Sequence, residues 1–292
     1  MIWQLKHFIA CTMSVVSPEL CSRVLYYRKF GRPIDLKTPK TLNEKIMWLK
    51  LNTYRDDPLV TQCADKYRVR EYVEQAGCGD ALNTLYGVWD SPRQIDWSAL
   101  PDAFVLKCNH GCGYNILCPD KRKLDTKAAV RQLEKWLRTS FWLSYAELQY
   151  RKIPRKVICE KLLGGGGPLP DYKVYCFHGK AEYILVCLDR GGGRKPKFYF
   201  FDRDWNFCPI TRDGKQAAKD FSLPRPQQLD KMLAYAERLS EPFPFVRADF
   251  YDDGGRIVFG ELTFTPAAAL DTGRLPETDR MFGAMLDIET LK

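Results

Sequence analysis

The sequence lacks the cysteine spacing that is typical of zinc and redox motifs. It contains 11 cysteines, but no two of them form a C-x-x-C pair. Cys108, Cys112 and Cys118 cluster with only His110 nearby as a further ligand, and this spacing fits no common zinc site. An odd number of cysteines would leave one unpaired in an oxidising compartment. We therefore predict a cytoplasmic protein whose cysteines are free thiols packed as small apolar side chains.

The sequence also has no run of five or more lysines or arginines. Because the basic residues are spread along the chain, we expect no nucleic-acid partner. The formal net charge is nevertheless +9, which favours an anionic partner such as an acidic glycan, an acidic amino acid or a phosphate-bearing cofactor. Hydrophobic residues make up 45% of the chain and aromatic residues 13%, which excludes a disordered protein.

The first 16 residues lack both the pattern of a secretory signal and the length of a bilayer span. Gln4, Lys6 and His7 interrupt the apolar residues, and no small-residue cleavage site follows. A spanning helix needs about 20 apolar residues. The apolar residues of this segment roughly trace one face of a helix. That face packs on the protein core or makes a peripheral contact with the inner face of a membrane, and the sequence leaves both alternatives open.

Two regions of different character follow each other along the chain. The first 80 or so residues have helical patterns, including a capping box at Thr41–Glu44 and a helix from Pro58 to Glu74. Short apolar strands and hairpins dominate the rest. We predict an α+β protein with a helical N-terminal lead-in domain, 1–90, and a β-rich domain that divides into subdomains 91–163 and 164–292.

The last predicted hairpin places two carboxylates on strands that pair with each other. Side chains alternate along a strand, so Arg247 and Asp249 share one face, and Glu261 and Thr263 share a face of the partner strand. Cross-strand pairing can bring Asp249 and Glu261 together among apolar neighbours, where they need a cation. Mg²⁺ prefers such oxygen ligands. The alternative is a salt bridge from Arg247 to one of the acids.

A lysine at the end of a predicted strand leads into a loop that contains glycines. Lys107 comes first, and Gly111 and Gly113 allow backbone N–H groups to approach an anion closely. The segment matches neither G-x-x-x-x-G-K-[ST] nor G-x-G-x-x-G. A simple turn is therefore the alternative to a phosphate-binding loop.

A third segment combines a strand edge, four consecutive glycines and an acid. Glu160–Leu163 leads into the glycines, and Asp171–Lys173 follows them. The exposed backbone of a strand edge can bind an adenine, and an acid beyond it can bind ribose hydroxyls. The alternative is an edge strand with a solvated Glu–Lys pair.

These three segments, in this order, resemble the ATP-grasp superfamily. The sequence more closely resembles its TupA-like family, which is named for teichuronopeptide biosynthesis. The resemblance covers roughly residues 20 to 270. It is carried by Lys40–Ile46, Ala64–Tyr67, Leu106–Gly111, Asp171–Lys173 and Phe259–Phe264.

The resemblance implies an ATP-grasp fold in which two β-rich subdomains sandwich ATP. Lys107 would contact the α- and β-phosphates and take part in catalysis. The loop from Gly111 to Gly113 would close over the phosphates, with His110 as a further phosphate contact. Lys173 would also belong to the nucleotide site.

The resemblance further implies how the nucleoside would be held. Glu160 and Leu163 would frame the adenine, with Lys161 at its edge. Asp171 would be the residue that contacts the ribose.

Magnesium and the reacting groups would lie at the last hairpin. Asp249 and Glu261 would hold Mg²⁺ between the β- and γ-phosphates, and Arg247 would stabilise charge at the reacting carboxylate. Thr263 stands where ATP-grasp ligases often carry an asparagine metal ligand. Ala267 stands where they often carry a glycine after the terminal proline.

The activity that this resemblance implies is ATP-dependent carboxylate–amine ligation. The γ-phosphoryl group passes to a carboxylate, an amine attacks the acyl phosphate, and phosphate leaves. The expected acid is a uronic acid or an acidic amino acid in cell-surface polysaccharide biosynthesis. The alternatives are a kinase that phosphorylates a sugar, with Asp189 as its base, and a non-catalytic glycan-binding protein of the same pathway.

Overall fold

Helices form the N-terminal part of this computed structural model, which describes residues 2–167, 169–188 and 195–291, with only the backbone for 2–7. The helices are α1 (Ile2–Val16), α2 (Pro18–Phe30), α3 (Leu42–Leu51), α4 (Pro58–Ala64) and α5 (Val69–Gln75). As predicted, Thr41 and Glu44 form a capping box at the start of α3. None of the helices in these ranges combines the length and the hydropathy of a bilayer-spanning segment.

The prediction of one helix from Pro58 to Glu74 is wrong, because the chain leaves the helix between α4 and α5. The Asp65 carboxylate accepts hydrogen bonds from the backbone N–H groups of Tyr67 and Arg68, at 2.8 and 3.2 Å. A side chain that binds nearby backbone groups in this way competes with continuation of a helix. The interruption brings Lys66 to the glycine loop, where its N–H donates to the carbonyl oxygen of Asn109 at 3.2 Å.

The first sheet is antiparallel, with the strand order β1-β4-β2-β3. Its strands are β1 (Leu85–Trp89), β2 (Phe104–Cys108), β3 (Asn115–Cys118) and β4 (Val157–Lys161), and helix α6 (Thr126–Arg138) packs beside it. The predicted hairpin of β2 and β3 is confirmed. Strand β1 precedes the domain boundary proposed at residue 90 but pairs with β4, and that boundary stays a prediction.

The second sheet has the strand order β10-β9-β5-β6-β7-β8. Its strands are β5 (Asp171–Phe177), β6 (Lys180–Leu188), β7 (Lys197–Asp202), β8 (Phe207–Cys208), β9 (Phe245–Asp253) and β10 (Arg256–Thr263). The remaining helices are α7 (Arg212–Lys215), α8 (Leu229–Ser240) and α9 (Pro276–Met285). Helix α8 packs on β5, β6 and β9, and α9 packs on α3. This contact joins α3 to the larger apolar core, which includes the second sheet, while the first sheet and α6 enclose a separate apolar cluster.

The cysteines agree with the prediction from their spacing. All 11 are free thiols. Most are buried, and Cys112 in the glycine loop is exposed. They therefore act mainly as small apolar side chains.

Candidate active site

A row of charged side chains crosses three neighbouring strands of the second sheet. Lys173 on β5 lies opposite Asp249 on β9, and Asp249 lies opposite Glu261 on β10. The register between β9 and β10 shifts at Gly260, where a Cβ atom would lie 3.1 Å from the carbonyl oxygen of Asp249. Glycine is therefore the residue that best permits this close approach. The predicted pairing of Asp249 with Glu261 is confirmed.

Two cations enclose the Asp249 carboxylate, which is almost completely buried. Arg247 donates to both of its oxygens, from Nε at 2.6 Å and from Nη2 at 2.7 Å. Lys173 donates from Nζ at 2.5 Å and also binds Asp171 at 2.9 Å. The salt bridge considered for Arg247 is thus present, with Asp249 as the acid.

Glu261 is the more accessible of the two carboxylates, with 32% of its side chain exposed. Lys66 donates to it at 3.0 Å, and the Thr263 hydroxyl donates to it at 3.2 Å. Arg247 in turn donates to Thr263 Oγ1 at 3.1 Å. Burial raises the pKa of Glu261, but Lys66, Lys173 and Arg247 outweigh burial and hold that pKa well below its usual range. The carboxylate is therefore ionised at neutral pH.

The donor set of this row fits a hard divalent cation. Asp249, Glu261 and Thr263 offer carboxylate and hydroxyl oxygens, which Mg²⁺ prefers. Among the described residues, no group of three or more His, Cys, Asp or Glu side chains could hold a metal ion. Two carboxylates and a hydroxyl suit an ion that completes its coordination shell with substrate oxygens.

Lys107 lies on the first sheet and contacts an acid of the neighbouring strand. Its Nζ donates to Glu160 on β4 at 2.6 Å. Arg70 of α5 approaches the other oxygen of the same carboxylate at 3.4 Å. Glu160 is only 7% exposed, so the predicted adenine residue is held here between two cations.

The loop after Lys107 is anchored at its base and open at its tip. The Asn109 side chain donates to Asp65 at 2.8 Å and accepts from the backbone N–H of Lys156 at 2.7 Å. Gly113 has a φ of +77° with open space around it, a conformation that favours glycine. At Gly111 a Cβ atom would lie 2.7 Å from the ring of Phe141. Both glycines are thus required by the path of the loop.

His110 lies at the buried base of this loop rather than at its open tip. Its Nε2 lies 3.2 and 3.3 Å from the carbonyl oxygens of Trp136 and Thr139, at the end of α6. Its Nδ1 is buried without a hydrogen-bond partner. The ring is almost completely buried and presents neither nitrogen at the open tip of the loop, and its phosphate contact stays a prediction.

The environment of His110 makes the free energy of unfolding depend on pH. Burial, followed by the charge of Arg155, lowers the pKa of the imidazole from its ordinary value of 6.5. The unfolded chain then binds the proton more tightly than the folded one, so stability falls as the pH drops below 6.5.

We expect a His110→Gln variant, which cannot titrate, to be less stable than the wild type at pH 7.5. The difference in free energy of unfolding between the wild type and the variant should decrease by up to about 1.4 kcal/mol for each pH unit of acidification. Denaturant unfolding of both proteins between pH 7.5 and 5 measures this difference. A difference that stays constant with pH would contradict the prediction.

The residues predicted to hold the nucleoside lie at the ends of β4 and β5. Lys161 pairs with Asp253 of β9 at 3.3 Å. Leu163 begins a short turn, and the N–H of Gly164 in that turn donates to the same Asp253 at 3.0 Å. Asp171 is fully buried against Lys173. The structure therefore does not support a contact between Asp171 and ribose hydroxyls.

Sequence reasoning missed Lys66, which joins the two halves of the site. Its backbone binds the loop of the first sheet at Asn109, and its side chain binds Glu261 of the second sheet. No role for Lys66 or Arg70 was predicted from the sequence, although Lys66 lies within the Ala64–Tyr67 motif of the family resemblance. Asp189, the base considered for a kinase, lies outside the described residues.

The chain that follows β10 adopts an unusual backbone next to this row. Ala267, Ala268 and Ala269 have φ values of +49°, +56° and +62°. Thr265, just before them, accepts a hydrogen bond from Gln149 at 2.8 Å and donates one to the buried carboxylate of Glu147 at 2.6 Å. Left-handed alanines cost about 1–2 kcal/mol each, so this buried network holds the segment in a strained shape beside the site.

Comparison with known proteins gives one family match. The sequence profile of the family described as TupA-like ATPgrasp matches residues 44–287. A comparison with curated protein sequences gives no match.

Several solved structures are similar at low identity. A D-alanine–D-alanine ligase from Bacillus anthracis complexed with ATP is 13% identical, with a TM-score of 0.43, over 76% of this chain and 61% of that one. D-cycloserine synthetase DcsG is 14% identical, with a TM-score of 0.46, over 82% and 74%. The ATP-grasp ligase PsnB with its minimal precursor is 13% identical, with a TM-score of 0.38, over 72% and 55%. This chain thus spans less than two thirds of the first and third of these proteins.

Proposed function

Because this chain belongs to the TupA-like ATP-grasp family, we propose that it is an ATP-dependent carboxylate–amine ligase. In this reaction a carboxylate oxygen attacks the γ-phosphorus, and ADP leaves. The amine then attacks the carbonyl carbon of the acyl phosphate, loses a proton, and phosphate leaves with the former carboxylate oxygen. Catalysis of this kind depends on positioning and charge stabilisation rather than on a protein nucleophile.

The observation that carries this proposal is the charged row Lys173–Asp249–Glu261, together with Arg247 and Lys66. A site for ATP needs cations for the phosphates and oxygens for a metal, and this row supplies both within hydrogen-bond distance of each other. No serine or cysteine nucleophile is needed for the chemistry. The row therefore supports phosphoryl transfer better than it supports acyl-enzyme chemistry.

The residues of the row divide the work of the reaction. When bound, Mg²⁺ would be held by Asp249, Glu261 and Thr263 and would neutralise charge on the β- and γ-phosphates. Arg247 binds Asp249 with its planar two-donor fork, which fixes the orientation of the guanidinium, and its positive charge stabilises charge at the reacting carboxylate. Lys66 reaches the site from the side of the glycine loop and binds phosphate oxygens there.

The ion pairs of the site provide cations that an incoming nucleotide can take over. Lys107 is held by Glu160, which Arg70 also contacts. When Lys107 turns to a phosphate, Arg70 can keep the Glu160 carboxylate neutralised. Lys66 and Glu261 are both partly accessible and can part in the same way. The buried bond from Arg247 Nε to Asp249 Oδ1 stays in place and orients the guanidinium. Release of Lys173 from Asp249 Oδ2 would free a position on that oxygen for the metal.

We further propose that the acid is a uronic acid or an acidic amino acid and that the product enters cell-surface polysaccharide biosynthesis. The family is named for the biosynthesis of a teichuronopeptide, and the net charge of +9 favours anionic substrates. The substrate therefore carries either the side-chain carboxylate of an acidic amino acid or the carboxylate of a uronic acid.

Release of ADP and phosphate from ATP and Mg²⁺ tests the reaction class. We expect stoichiometric ADP and phosphate only when an acid, such as glucuronate or glutamate, and an amine are both present. ADP without phosphate, formed with a neutral sugar alone, would instead indicate a kinase. No turnover with any acid and amine, despite tight binding of a glycan, would indicate a binding protein and overturn the proposal.

A Lys107→Ala variant tests the nucleotide site separately from the acceptor sites. We expect the dissociation constant of ATP to rise by roughly 10- to 100-fold, because a charge-assisted hydrogen bond contributes about 1.5–3 kcal/mol. Calorimetry with ATP measures this change. Lys156→Ala is the matched control, because Lys156 has similar exposure and an acidic partner, Asp90, at 2.5 Å. Equal ATP affinity in wild type and Lys107→Ala would remove Lys107 from the site.

A further inference from the structure

Helix α1 presents two faces of opposite environment. On one face Ala10 and Ser14 are buried, and Ala10 packs with Cys21 of α2 and with Ala146. The Ser14 hydroxyl donates to the carbonyl oxygen of Leu143 at 2.7 Å and fixes the helix to the body of the protein. The protein therefore already holds α1 through one face, and the other face is turned outward.

The outward face ends in a cluster of apolar side chains. Val15 is 65% exposed and Val16 is 77% exposed, and Phe8, two turns earlier, is 68% exposed. Leu20, on the first turn of α2 that follows, is 50% exposed. We call Phe8, Val15, Val16 and Leu20 the apolar tip. Four exposed apolar residues within two consecutive helices are a candidate interaction surface.

A cationic groove begins where the apolar tip ends. Val16 lines one side of a cavity of about 480 Å³ between α2, the Leu36–Lys37 segment and the end of α3. Arg23, Lys37 and Arg55 contribute three exposed basic side chains to it. Two of these cations have exposed acidic partners, because Arg23 pairs with Glu19 at 2.7 Å and Arg55 pairs with Asp56 at 3.3 Å. The three basic side chains still outnumber these two acids. The groove thus combines positive charge with the edge of an apolar surface.

We propose that the apolar tip and the cationic groove together dock the protein on an anionic lipid membrane. The short apolar side chains enter the boundary between headgroups and acyl chains, and the basic residues bind lipid phosphates. Glu19 is the first acidic residue of the chain, so no carboxylate lies on the outward face of α1. Pairing of two copies through this face would bring two cationic grooves together, which charge repulsion disfavours.

Vesicle sedimentation tests this docking directly. We expect the full chain to sediment with vesicles of phosphatidylcholine and phosphatidylglycerol at 7:3 and to remain in solution with phosphatidylcholine alone. A Val15→Asp/Val16→Asp variant should bind the anionic vesicles at least about tenfold more weakly. A Lys37→Gln/Arg55→Gln variant should lose about fivefold per cation removed, which corresponds to about 1 kcal/mol each.

Matched control variants test whether vesicle binding depends on this surface or on any exposed apolar or basic side chain. Leu117→Asp changes an apolar residue that is 63% exposed elsewhere. Arg122→Gln/Lys123→Gln removes two basic side chains that are 85% exposed elsewhere. Both controls should sediment like the wild type, and all four variants should keep the melting temperature of the wild type. Equal losses in the controls, or no binding to anionic vesicles, would overturn the proposal.

Two further results distinguish docking on lipid from binding of a free anion, and distinguish both from the proposed ligase activity. If inorganic phosphate raised the melting temperature of the wild type but not of Lys37→Gln/Arg55→Gln, and vesicles did not bind, the groove would be a site for a free anion and the lipid proposal would be wrong. Vesicle binding needs neither ATP nor an acceptor. It therefore succeeds or fails independently of the proposed ligase activity.

Discussion

A Glu261→Gln variant is expected to lose at least about 100-fold in kcat while it keeps the folded structure of the wild type. The substitution preserves the volume of the side chain and removes the negative charge that faces Lys66 and the proposed magnesium site. Glu261 is about a third exposed, but Lys66 is only 14% exposed, so water compensates the lost ion pair only in part. A moderate decrease in melting temperature is therefore expected beside the loss of kcat. Steady-state ADP release at saturating Mg²⁺ and a thermal melt on the same preparation measure both quantities.

Glu134→Gln is the matched control for this experiment. Glu134 lies on α6, outside the charged row. Its side chain is 20% exposed and pairs with Arg93 at 2.6 Å. The control should turn over ATP at the rate of the wild type. If Glu261→Gln retained more than about a tenth of the wild-type kcat, a loss of only about 1.4 kcal/mol in the barrier, Glu261 would not be an essential ligand.

A substitution of Asp249 would change stability as well as catalysis, although the sequence analysis treats Asp249 and Glu261 alike. Asp249 is buried between Arg247 and Lys173. An asparagine there would leave two buried cations short of an anion, and breaking a buried ion pair in this way costs about 3–5 kcal/mol of stability. The difference in burial between the acids therefore decides which variant reports on catalysis.

The strands of the site were predictable because their signals are local. Alternating apolar residues and turn residues identify the hairpin of β9 and β10, and pairing within a hairpin fixes which side chains lie opposite each other. Asp249 and Glu261 are separated by only 12 positions, so the sequence alone brings them together. The family resemblance is confirmed by the profile match over residues 44–287.

The contacts that the sequence does not reveal join distant segments. Lys66 and Glu261 are 195 positions apart, and Arg70 and Glu160 are 90 apart. Periodicity within a helix gives the face of a charged residue but not its partner from another part of the fold. The buried position of His110 was not predicted for a related reason, because the carbonyl groups next to its ring belong to the end of α6.

Replacement of Arg247 by lysine is expected to lower kcat by roughly 100-fold or more, with little change in the affinity for ATP. Lysine keeps the positive charge but loses the planar fork that binds both oxygens of Asp249 and the hydroxyl of Thr263. If the guanidinium stabilises charge that develops on the reacting carboxylate, a point charge on a flexible chain cannot replace it. The lost hydrogen bonds should also lower stability by about 1–3 kcal/mol.

Arg274→Lys supplies the comparison that separates catalysis from stability. Arg274 is also a buried arginine, and it binds Asp271 at 2.7 Å and Asp279 at 3.1 Å, at the contact between α9 and α3. Both variants lose a guanidinium from a buried ion pair, so both should melt at lower temperature. Only Arg247→Lys should lose kcat when the rate is expressed per folded molecule. If the two variants showed the same drop in melting temperature and both kept the wild-type kcat, Arg247 would be a structural partner of Asp249, and the charge on the reacting carboxylate would have to be stabilised by Lys66 or Lys173.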